Sequence, residues 1–426
     1  MTNETANGPG VSLPWAGKLV RIEQVEEFFP TLWNMSLDNL RIGANLNVRT
    51  SVLNLVICAP DIETAAYASK QLRELASTHL ARVTLIVLDH SEQAPSEVTS
   101  WVTLRCFSMI SDLMRHCFEQ TTLLASGRAV SSIGNIIHPL LKPDLPVYLW
   151  WLGDPPAYDD PAFRSLVALS NRVIFDSTRF FHPEQDIYTL SDLLRTAAGS
   201  ALSDLNWARI IPLRELVIQF FDVAEYRPFL TGIYSLEIEH AAAPLAMPMQ
   251  TKEGDVSPNP ARALLLAGWL KGRLGWAIAD DRSQNQHDTN SGTYHWKIDR
   301  QTNARMTNPL VTPRTRSGRL PGGRYANISI RPRVMPDMRP GAIALVRLIS
   351  VAEGKQAVFT IEREKDLDHV STSVEVDSEL RQKRIVNLPD TISEIDLLRD
   401  ELEITGHDYH FEQTLQEVAD LLDAEL

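Results

Sequence analysis

Short apolar runs alternate with helix-period patterns along the first half of the chain. Runs of β-branched and leucine residues predict buried strands at 49–58, 83–89, 98–108, 146–152 and 172–176. Helical spacing of apolar residues predicts helices at 18–40, 61–78, 114–141 and 161–169. Pro30 should kink or end the first helix, and Asp61 should cap the second. Strands that alternate with helices predict an α/β domain with a doubly wound, mostly parallel sheet.

The short apolar run at 146–152, PVYLWWL, predicts the central strand, buried on both faces as in a parallel sheet covered by helices. Pro146 can start this strand, because its missing N–H costs least at a strand's first position. Its adjacent tryptophans, Trp150 and Trp151, should point to opposite faces of the sheet. A loop follows at its carboxyl end, where open α/β sheets usually form binding surfaces. We therefore take Trp151, Asp154 and Tyr158 as candidate partner-binding residues.

The pattern changes after about residue 222. Residues 203–221 predict a short helix, a kink at Pro212 and a longer helix. Beyond it we predict a loop at 243–259, a helix at 260–276 and two final helices at 391–402 and 407–422. Strand-like segments lie at 232–240, 294–298, 325–331, 342–351, 357–363 and 370–376. Consecutive strands without helices between them predict an antiparallel sheet, hence an α+β domain with C-terminal helices. A capping box, Thr391 to Glu394, should open the first of the final helices.

The predicted organisation is thus a flexible lead-in at 1–17, an α/β domain at 18–222 and an α+β domain at 223–426. A chain of 426 residues exceeds the size at which a single core usually stops growing, so two domains are expected. No linker rich in Pro, Gly or Ser separates them, and the boundary is placed near Asp222.

Four segments of the chain together resemble the OpcA family of glucose-6-phosphate dehydrogenase assembly proteins. They are RTSVLNLVIC at 49–58, PDLPVYLWWLGDPP at 143–156, LSDLNWARIIPLRELVIQFFD at 202–222 and ALLLAGWLKGRLGW at 263–276. The resemblance implies a noncatalytic protein that binds glucose-6-phosphate dehydrogenase, promotes its active oligomer and raises its activity. It also implies a role in NADPH supply through the oxidative pentose phosphate pathway.

Composition and charge narrow the class of protein. A 44% apolar and 22% charged composition is ordinary for a soluble domain, and no run of about eighteen apolar residues predicts a membrane span. The net charge of −13 disfavours nonspecific nucleic-acid binding. Three cysteines without CxxC spacing, Cys58, Cys106 and Cys117, argue against a disulfide framework or a zinc site. With no secretory signal at the N-terminus, these features predict a cytoplasmic protein.

Charge is unevenly distributed along the second half. Residues 300–347 contain ten arginines and one acid, whereas residues 390–426 contain twelve acids and one base. The two segments either pair with each other, are solvated independently, or present arginines to an acidic partner, because guanidinium groups bind carboxylates bidentately. A basic loop rich in Gly and Pro supplies four further candidate partner-binding residues: Arg314, Arg316, Arg319 and Arg324.

Motifs for catalysis are missing from the sequence. No GxGxxG, P-loop, HExxH or GxSxG occurs, and Asp61 would repel a pyrophosphate after the first strand. The carboxylates of Asp154, Asp159 and Asp160 fit turn and helix-cap chemistry better than catalysis. We predict no catalytic, cofactor or metal site. The alternative is an enzyme or sensor that binds a sugar phosphate or nucleotide at the carboxyl edge of the first sheet.

Overall fold

A computed structural model describes the chain at 17–38, 46–48, 51–75, 79–91, 94–108, 114–197, 199–242, 259–281, 285–288, 291–300, 323–389 and 392–424. It separates into two compact units that interleave along the chain. The first comprises residues 1–176, 193–205 and 393–407, and the second residues 177–192, 206–392 and 408–426. A single domain boundary near Asp222 stays a prediction.

Eighteen strands and ten α-helices are assigned within the described residues. The first nine strands are β1 (Lys18–Val20), β2 (Leu46–Val48), β3 (Leu53–Ala59), β4 (Ala81–Asp89), β5 (Val98–Ser108), β6 (Met114–Ser126), β7 (Val147–Trp151), β8 (Arg172–Phe175) and β9 (Ala201–Asp204). The others are β10 (Ile233–Ala242), β11 (Ala277–Ile278), β12 (Gln286–Asp288), β13 (Thr293–Asp299), β14 (Tyr325–Val334), β15 (Ile343–Ala352), β16 (Lys355–Arg363), β17 (His369–Val376) and β18 (Glu379–Asn387). The helices are α1 (Val25–Asp38), α2 (Ile62–Leu75), α3 (Ile133–Ile137), α4 (Pro161–Leu169), α5 (Pro183–Thr196), α6 (Leu205–Arg209), α7 (Ile211–Asp222), α8 (Ala261–Leu274), α9 (Glu394–Glu403) and α10 (Tyr409–Asp423). None of these helices combines the length and apolarity that a membrane span requires.

The first unit is built on a nine-stranded sheet in the order β1-β5-β6-β4-β3-β7-β8-β9, with β2 beside β6. All neighbours are parallel except β1–β5 and β5–β6. The predicted unit β3–α2–β4 is present with its strands side by side. From β3, the chain continues to β4 on one side and reaches β7 on the other, so the sheet is doubly wound as predicted.

Residues 114–141, which we predicted to be helical, differ most from the prediction. Residues 114–126 form strand β6, which pairs with β5, β4 and β2, and only shorter helical turns and α3 follow. Its buried face includes Gln120 and Thr122, whose side chains hydrogen-bond each other at 3.0 Å. Polar residues that are buried and paired in this way conceal the period of a strand.

The β5–β6 pairing also overturns our argument against a disulfide. The antiparallel register places Cys106 directly opposite Cys117, and the two are disulfide-bonded. Cys58 lies in buried β3 as a free thiol, and burial raises its pKa well above the ordinary value. Its role is that of a small apolar core residue.

Smaller differences concern element ends. The first helix begins at Val25 instead of residue 18, because Lys18–Val20 pairs with β5, and it continues past Pro30 to Asp38. Helix α9 has Ser393 as its N-cap, so it does not start at the predicted capping box, whose first residue, Thr391, lies outside the described residues. Most of the loop predicted at 243–259 also lies outside the described residues. Helix α5 and the strands β2, β9, β11, β12 and β18 were not predicted. The predicted kinked pair at 203–221 is present as α6 and α7.

A buried ionic network ties α9 into the first unit. Arg172 at the start of β8 lies 3.3 Å from the Glu401 carboxylate, which also accepts a hydrogen bond from Ser203 at 2.7 Å. Arg172 donates further to Ser203 and to the carbonyl of Gly406. Removing one partner from such a network leaves an uncompensated buried charge, so residues 393–407 are an integral part of this unit.

The second unit contains a sheet in the order β11-β13-β14-β10-β15-β16-β17-β18, with β12 beside β13. It is antiparallel as predicted, except that β10 and β14 run parallel. Helix α8 follows β10 and ends at Gly275, whose positive φ of 64° caps it. Lys271 of α8 pairs with Glu417 and with Asp420 of α10 at 3.4 Å, which joins the two helices. Both halves of the predicted fold class are therefore confirmed.

Trp150 tests the predicted centre of the first sheet. Its side chain is 0% exposed, and its indole N–H has no hydrogen-bond partner in the described part of the chain. We expect Trp150→Ala to lower the free energy of unfolding by about 3–5 kcal/mol through the cavity that it leaves. Trp150→Phe should cost clearly less, because it removes an unpartnered N–H and keeps an aromatic ring. A Trp150→Ala melting curve like that of wild type would contradict the assignment.

His240 of β10 is buried, and neither ring nitrogen has a well-oriented hydrogen-bond partner within the described residues. Burial lowers its pKa to about 4, against smaller opposing effects of the Ala241 backbone and Glu184. The folded state therefore holds this imidazole neutral, whereas the unfolded chain protonates it near the ordinary value of 6.5.

Stability should consequently depend on pH through His240. Its contribution is complete above pH 6.5 and is lost as the pH falls towards 4, because the unfolded state binds the additional proton. The loss attributable to this residue should reach about 3 kcal/mol. Between pH 6.5 and 4, urea unfolding should show a smaller decline in the free energy of unfolding for His240→Phe than for wild type. Equal declines in the two proteins would contradict the assigned role of His240.

Candidate functional site

The carboxyl edge of the first sheet is the expected binding position in a doubly wound fold. The first helix that starts there, α2, has its N-terminus occupied by the chain itself. Asp61 accepts hydrogen bonds from the backbone N–H of Thr64 at 2.7 Å and from its hydroxyl at 3.0 Å. The amides that would bind a phosphate in a nucleotide-binding fold therefore face a fixed carboxylate.

The helix on the other side of the switch point is blocked in the same way. Asp160 accepts a hydrogen bond from the backbone N–H of Phe163 at 2.7 Å, and Pro161 contributes no N–H to the first turn of α4. Between the two helices, the Pro60 ring lies 3.6 Å from the position that a Cβ on Gly153 would occupy. The two negative caps occupy the position that a phosphate would take at the switch point, and the loops after β3 and β7 are in ordinary van der Waals reach of each other.

A polar depression of about 420 Å³ lies farther along this edge, beyond β4 and β6. Its lining includes Arg128 and His90 together with three serines, Ser91, Ser96 and Ser131, and the Asp160 carboxylate. Ser96 accepts a hydrogen bond from the Arg128 backbone N–H at 3.0 Å. The chemistry of this lining suits a small polar ligand. Within the described ranges, no three His, Cys, Asp or Glu side chains are grouped as metal ligands would be.

The predicted contact residues after β7 lie close together. Trp151 is 8% exposed, packs edge-on against Phe163 with ring centroids 4.9 Å apart, and donates its indole N–H to the Asp154 carbonyl at 3.0 Å. Asp154 and Tyr158 are partly buried. An indole this buried offers a partner little surface, and the role of all three residues in partner binding stays a prediction.

Of the four arginines in the predicted basic loop, only Arg324 is among the described residues; Arg314, Arg316 and Arg319 lie outside them. Arg324 binds the Asp299 carboxylate through Nε at 2.9 Å and Nη2 at 2.6 Å, while its side chain is 49% exposed. Arg331, Arg333 and Arg347 likewise pair with carboxylates of neighbouring strands. Much of this basic segment is therefore neutralised within its own sheet, and a role of the loop in partner binding stays a prediction.

An apolar groove of about 790 Å³ in the second unit was not predicted as a site. Helices α7 and α8 supply most of its walls, and the rest comes from the short helical turn before β10, from Ile233 of β10 and from His410 of α10. The apolar lining residues are Ile211, Val217, Ile218, Phe221, Leu230, Ile233, Trp269, Leu270 and Leu274. The polar residues there are Arg214, Glu215, Asp222, Arg227, Arg273 and His410.

Arg214 is the partly buried cation of this groove. Its guanidinium carbon lies 3.4 Å from the ring centroid of Trp207 and 5.9 Å from that of Trp269. The Trp207 indole is fixed by a 2.8 Å hydrogen bond to Asp408, the N-cap of α10. Burial lowers the pKa of Arg214 to about 10, so it stays charged at neutral pH, and its Nε has no hydrogen-bond partner in the described part of the chain.

The groove could have been suspected from one sequence signal. Its two long walls, α7 and α8, lie within the segments 202–222 and 263–276 that resemble the OpcA family. Those segments carry apolar residues around most of the helix circumference, and the exposed members, such as Ile211 and Ile218, could not be told from buried ones by spacing.

Comparison with known proteins gives matches over both halves of the chain. Residues 72–192 match a family described as glucose-6-phosphate dehydrogenase subunit N-terminal domain. Residues 200–415 match the corresponding C-terminal domain. The OxPP cycle protein OpcA of Nostoc punctiforme is 36% identical over 160 residues, and that of Synechocystis sp. 33%. Each alignment covers 38% of this chain but only 30% of the relative.

Solved structures resemble the chain weakly. An oxidoreductase from Bacillus cereus aligns with a TM-score of 0.41 at 9% identity, over 87% of this chain and 95% of that one. An apo scyllo-inositol dehydrogenase from Lactobacillus casei gives 0.39 at 10% identity, over 89% and 97%. Similarity this low supports no conclusion about fold or activity.

The occupied N-terminus of α2 can be tested by freeing it. Asp61→Ala should lower the free energy of unfolding by about 1 kcal/mol, as the loss of a helix cap does. Inorganic phosphate should then raise the melting temperature of this variant more than that of wild type, because the amides become available to an anion. Glu63→Ala removes a charge from the same turn without removing the cap and serves as the control. Equal effects of phosphate on all three proteins would contradict this description.

Proposed function

The chain belongs to the OpcA family, and we propose that it is a noncatalytic assembly factor and allosteric activator of glucose-6-phosphate dehydrogenase. In this role it acts in the cytoplasm and supports NADPH supply through the oxidative pentose phosphate pathway. The observation that carries the proposal is the match of both family domains along the chain, over residues 72–192 and 200–415.

The geometry of the first unit supports a role without catalysis. The fold has the layers of a nucleotide-binding domain, but Asp61 and Asp160 cap the two helices beside its switch point. A dinucleotide would have to displace these carboxylates before its phosphates could reach the helix amides. Fold alone does not determine function, and a binding role suits a sheet whose phosphate position is filled.

The second unit supports a role in protein binding. The walls of its apolar groove expose Ile211 and Ile218 to solvent, next to a charged rim. Apolar surface rimmed by polar groups is typical of protein interaction sites. Such a surface can activate an enzyme without chemistry of its own: a partner that binds the active oligomer more tightly than other forms shifts the population towards it, by no more than that difference in affinity.

One observation favours a second candidate function. The polar depression near Arg128 could bind a sugar phosphate or a nucleotide, as an enzyme or a sensor would. Titration of the isolated protein with glucose 6-phosphate or NADP distinguishes the two functions, since an assembly factor needs neither ligand. Turnover of these substrates by a preparation free of the dehydrogenase would favour the second function.

The proposal predicts the behaviour of a mixture. Purified protein added to glucose-6-phosphate dehydrogenase should form a complex of larger mass and raise the rate of NADPH formation, whereas the protein alone should show no turnover. Mass and rate should be measured in one titration, since assembly and activation must follow the same binding curve. An unchanged mass and rate at every ratio would contradict the proposed function.

A further inference from the structure

We propose that the groove between α7 and α8 holds an amphipathic segment of the dehydrogenase, whose apolar side chains enter the groove while its carboxylates meet the arginines Arg214, Arg227 and Arg273. The inference rests on the proposed function, and it adds the place and the chemistry of the contact. Recognition of this kind is the helix-in-groove mode, in which apolar anchors give affinity and flanking charges give register.

The state of the three arginines carries the argument. Arg227 and Arg273 are exposed, Arg214 is partly buried, and none of the three lies within 4 Å of a carboxylate in the described part of the chain. Among the described residues, the Arg227 side chain makes a single long hydrogen bond, 3.4 Å, to the Asp222 carbonyl. Arg214 stacks on the Trp207 ring and donates one long hydrogen bond to the Trp207 carbonyl, at 3.4 Å, while its Nε has no hydrogen-bond partner in the described ranges.

Five other arginines of the same unit behave differently. Arg324, Arg331, Arg333, Arg347 and Arg381 each pair with a carboxylate. A chain with thirteen excess negative charges has carboxylates enough for the groove as well. This groove therefore gathers, around one apolar surface, three guanidinium groups that have no carboxylate partner among the described residues.

Charge identifies the occupant. The three arginines outnumber the groove's two carboxylates, Glu215 and Asp222, so the surface carries one net positive charge in an acidic protein. An acidic segment is attracted there, and guanidinium groups on apolar or aromatic surface bind carboxylates strongly because they are weakly hydrated. A second copy of the chain, which is acidic overall, is the competing occupant.

The floor of the groove requires apolar side chains from the same segment. Ile218 on α7 is 50% exposed, and Trp269 and Leu270 of α8 lie on the opposite wall. Arg214 is held over the Trp207 ring, so one charge is already positioned before a partner arrives. Preorganised charge beside apolar surface is typical of the centre of an interface, where a few residues supply most of the binding energy.

The test compares matched substitutions inside and outside the groove. Arg273→Glu reverses a groove charge, and Ile218→Ser removes groove apolar surface; Lys383→Glu and Ile385→Ser make the same changes on the exposed edge strand β18. Affinity for the dehydrogenase should be measured at low and high salt, with urea unfolding as the check on folding. If Arg273→Glu fails to fold, Arg227→Glu takes its place.

Each groove variant should weaken binding about tenfold or more, equivalent to about 1.4 kcal/mol, while the β18 variants stay within about twofold of wild type. Arg273→Glu should also flatten the salt dependence of association, because it removes a positive charge that attracts the carboxylates of the bound segment. Wild-type affinity in both groove variants, with wild-type protein binding normally, would overturn this inference and leave the proposed function standing.

Two further outcomes decide between occupants. If the groove variants change the mass of the protein on its own and leave its affinity for the dehydrogenase intact, a second copy occupies the groove, and the inference is wrong. If wild-type protein does not bind the dehydrogenase at any salt concentration, the proposed function fails and this inference fails with it.

Discussion

A helix N-terminus can satisfy only a few hydrogen-bond acceptors, and in this protein the two N-termini beside the switch point are already occupied. Asp61 and Asp160 accept those bonds. A sheet with the layers of a nucleotide-binding domain thereby has its phosphate position filled by carboxylates. The second unit has an exposed apolar surface beside arginines that, among the described residues, have no carboxylate partner.

Much of the fold follows from local sequence because burial on both faces leaves a continuous apolar run. Strands β3 and β7 are of this kind: both were predicted from such runs, and β7 was predicted as the central strand. Turn and cap chemistry was equally informative, since the Asp61 and Asp160 carboxylates each hydrogen-bond the first turn of the helix that follows. The mainly antiparallel second sheet followed from strands without helices between them.

Strand β6, the disulfide and the groove depend on contacts between residues that are distant in the sequence, and no local pattern predicts such contacts. Strand β6 was misassigned because Gln120 and Thr122 are buried as a mutually hydrogen-bonded pair. That one error also hid the disulfide, since Cys106 and Cys117 become opposite residues only when both segments are strands of one hairpin. The groove was missed because Arg214 and Trp207, seven positions apart, meet only across the break between α6 and α7.

Hydrogen exchange of the complex would locate the contact without any substitution. Backbone amides should be followed in the protein alone and with saturating glucose-6-phosphate dehydrogenase. We expect new protection in residues 211–222 and 261–274, and none at the loops after β3 and β7. Protection confined to those loops at the carboxyl edge of the first sheet, or no change anywhere, would contradict this expectation.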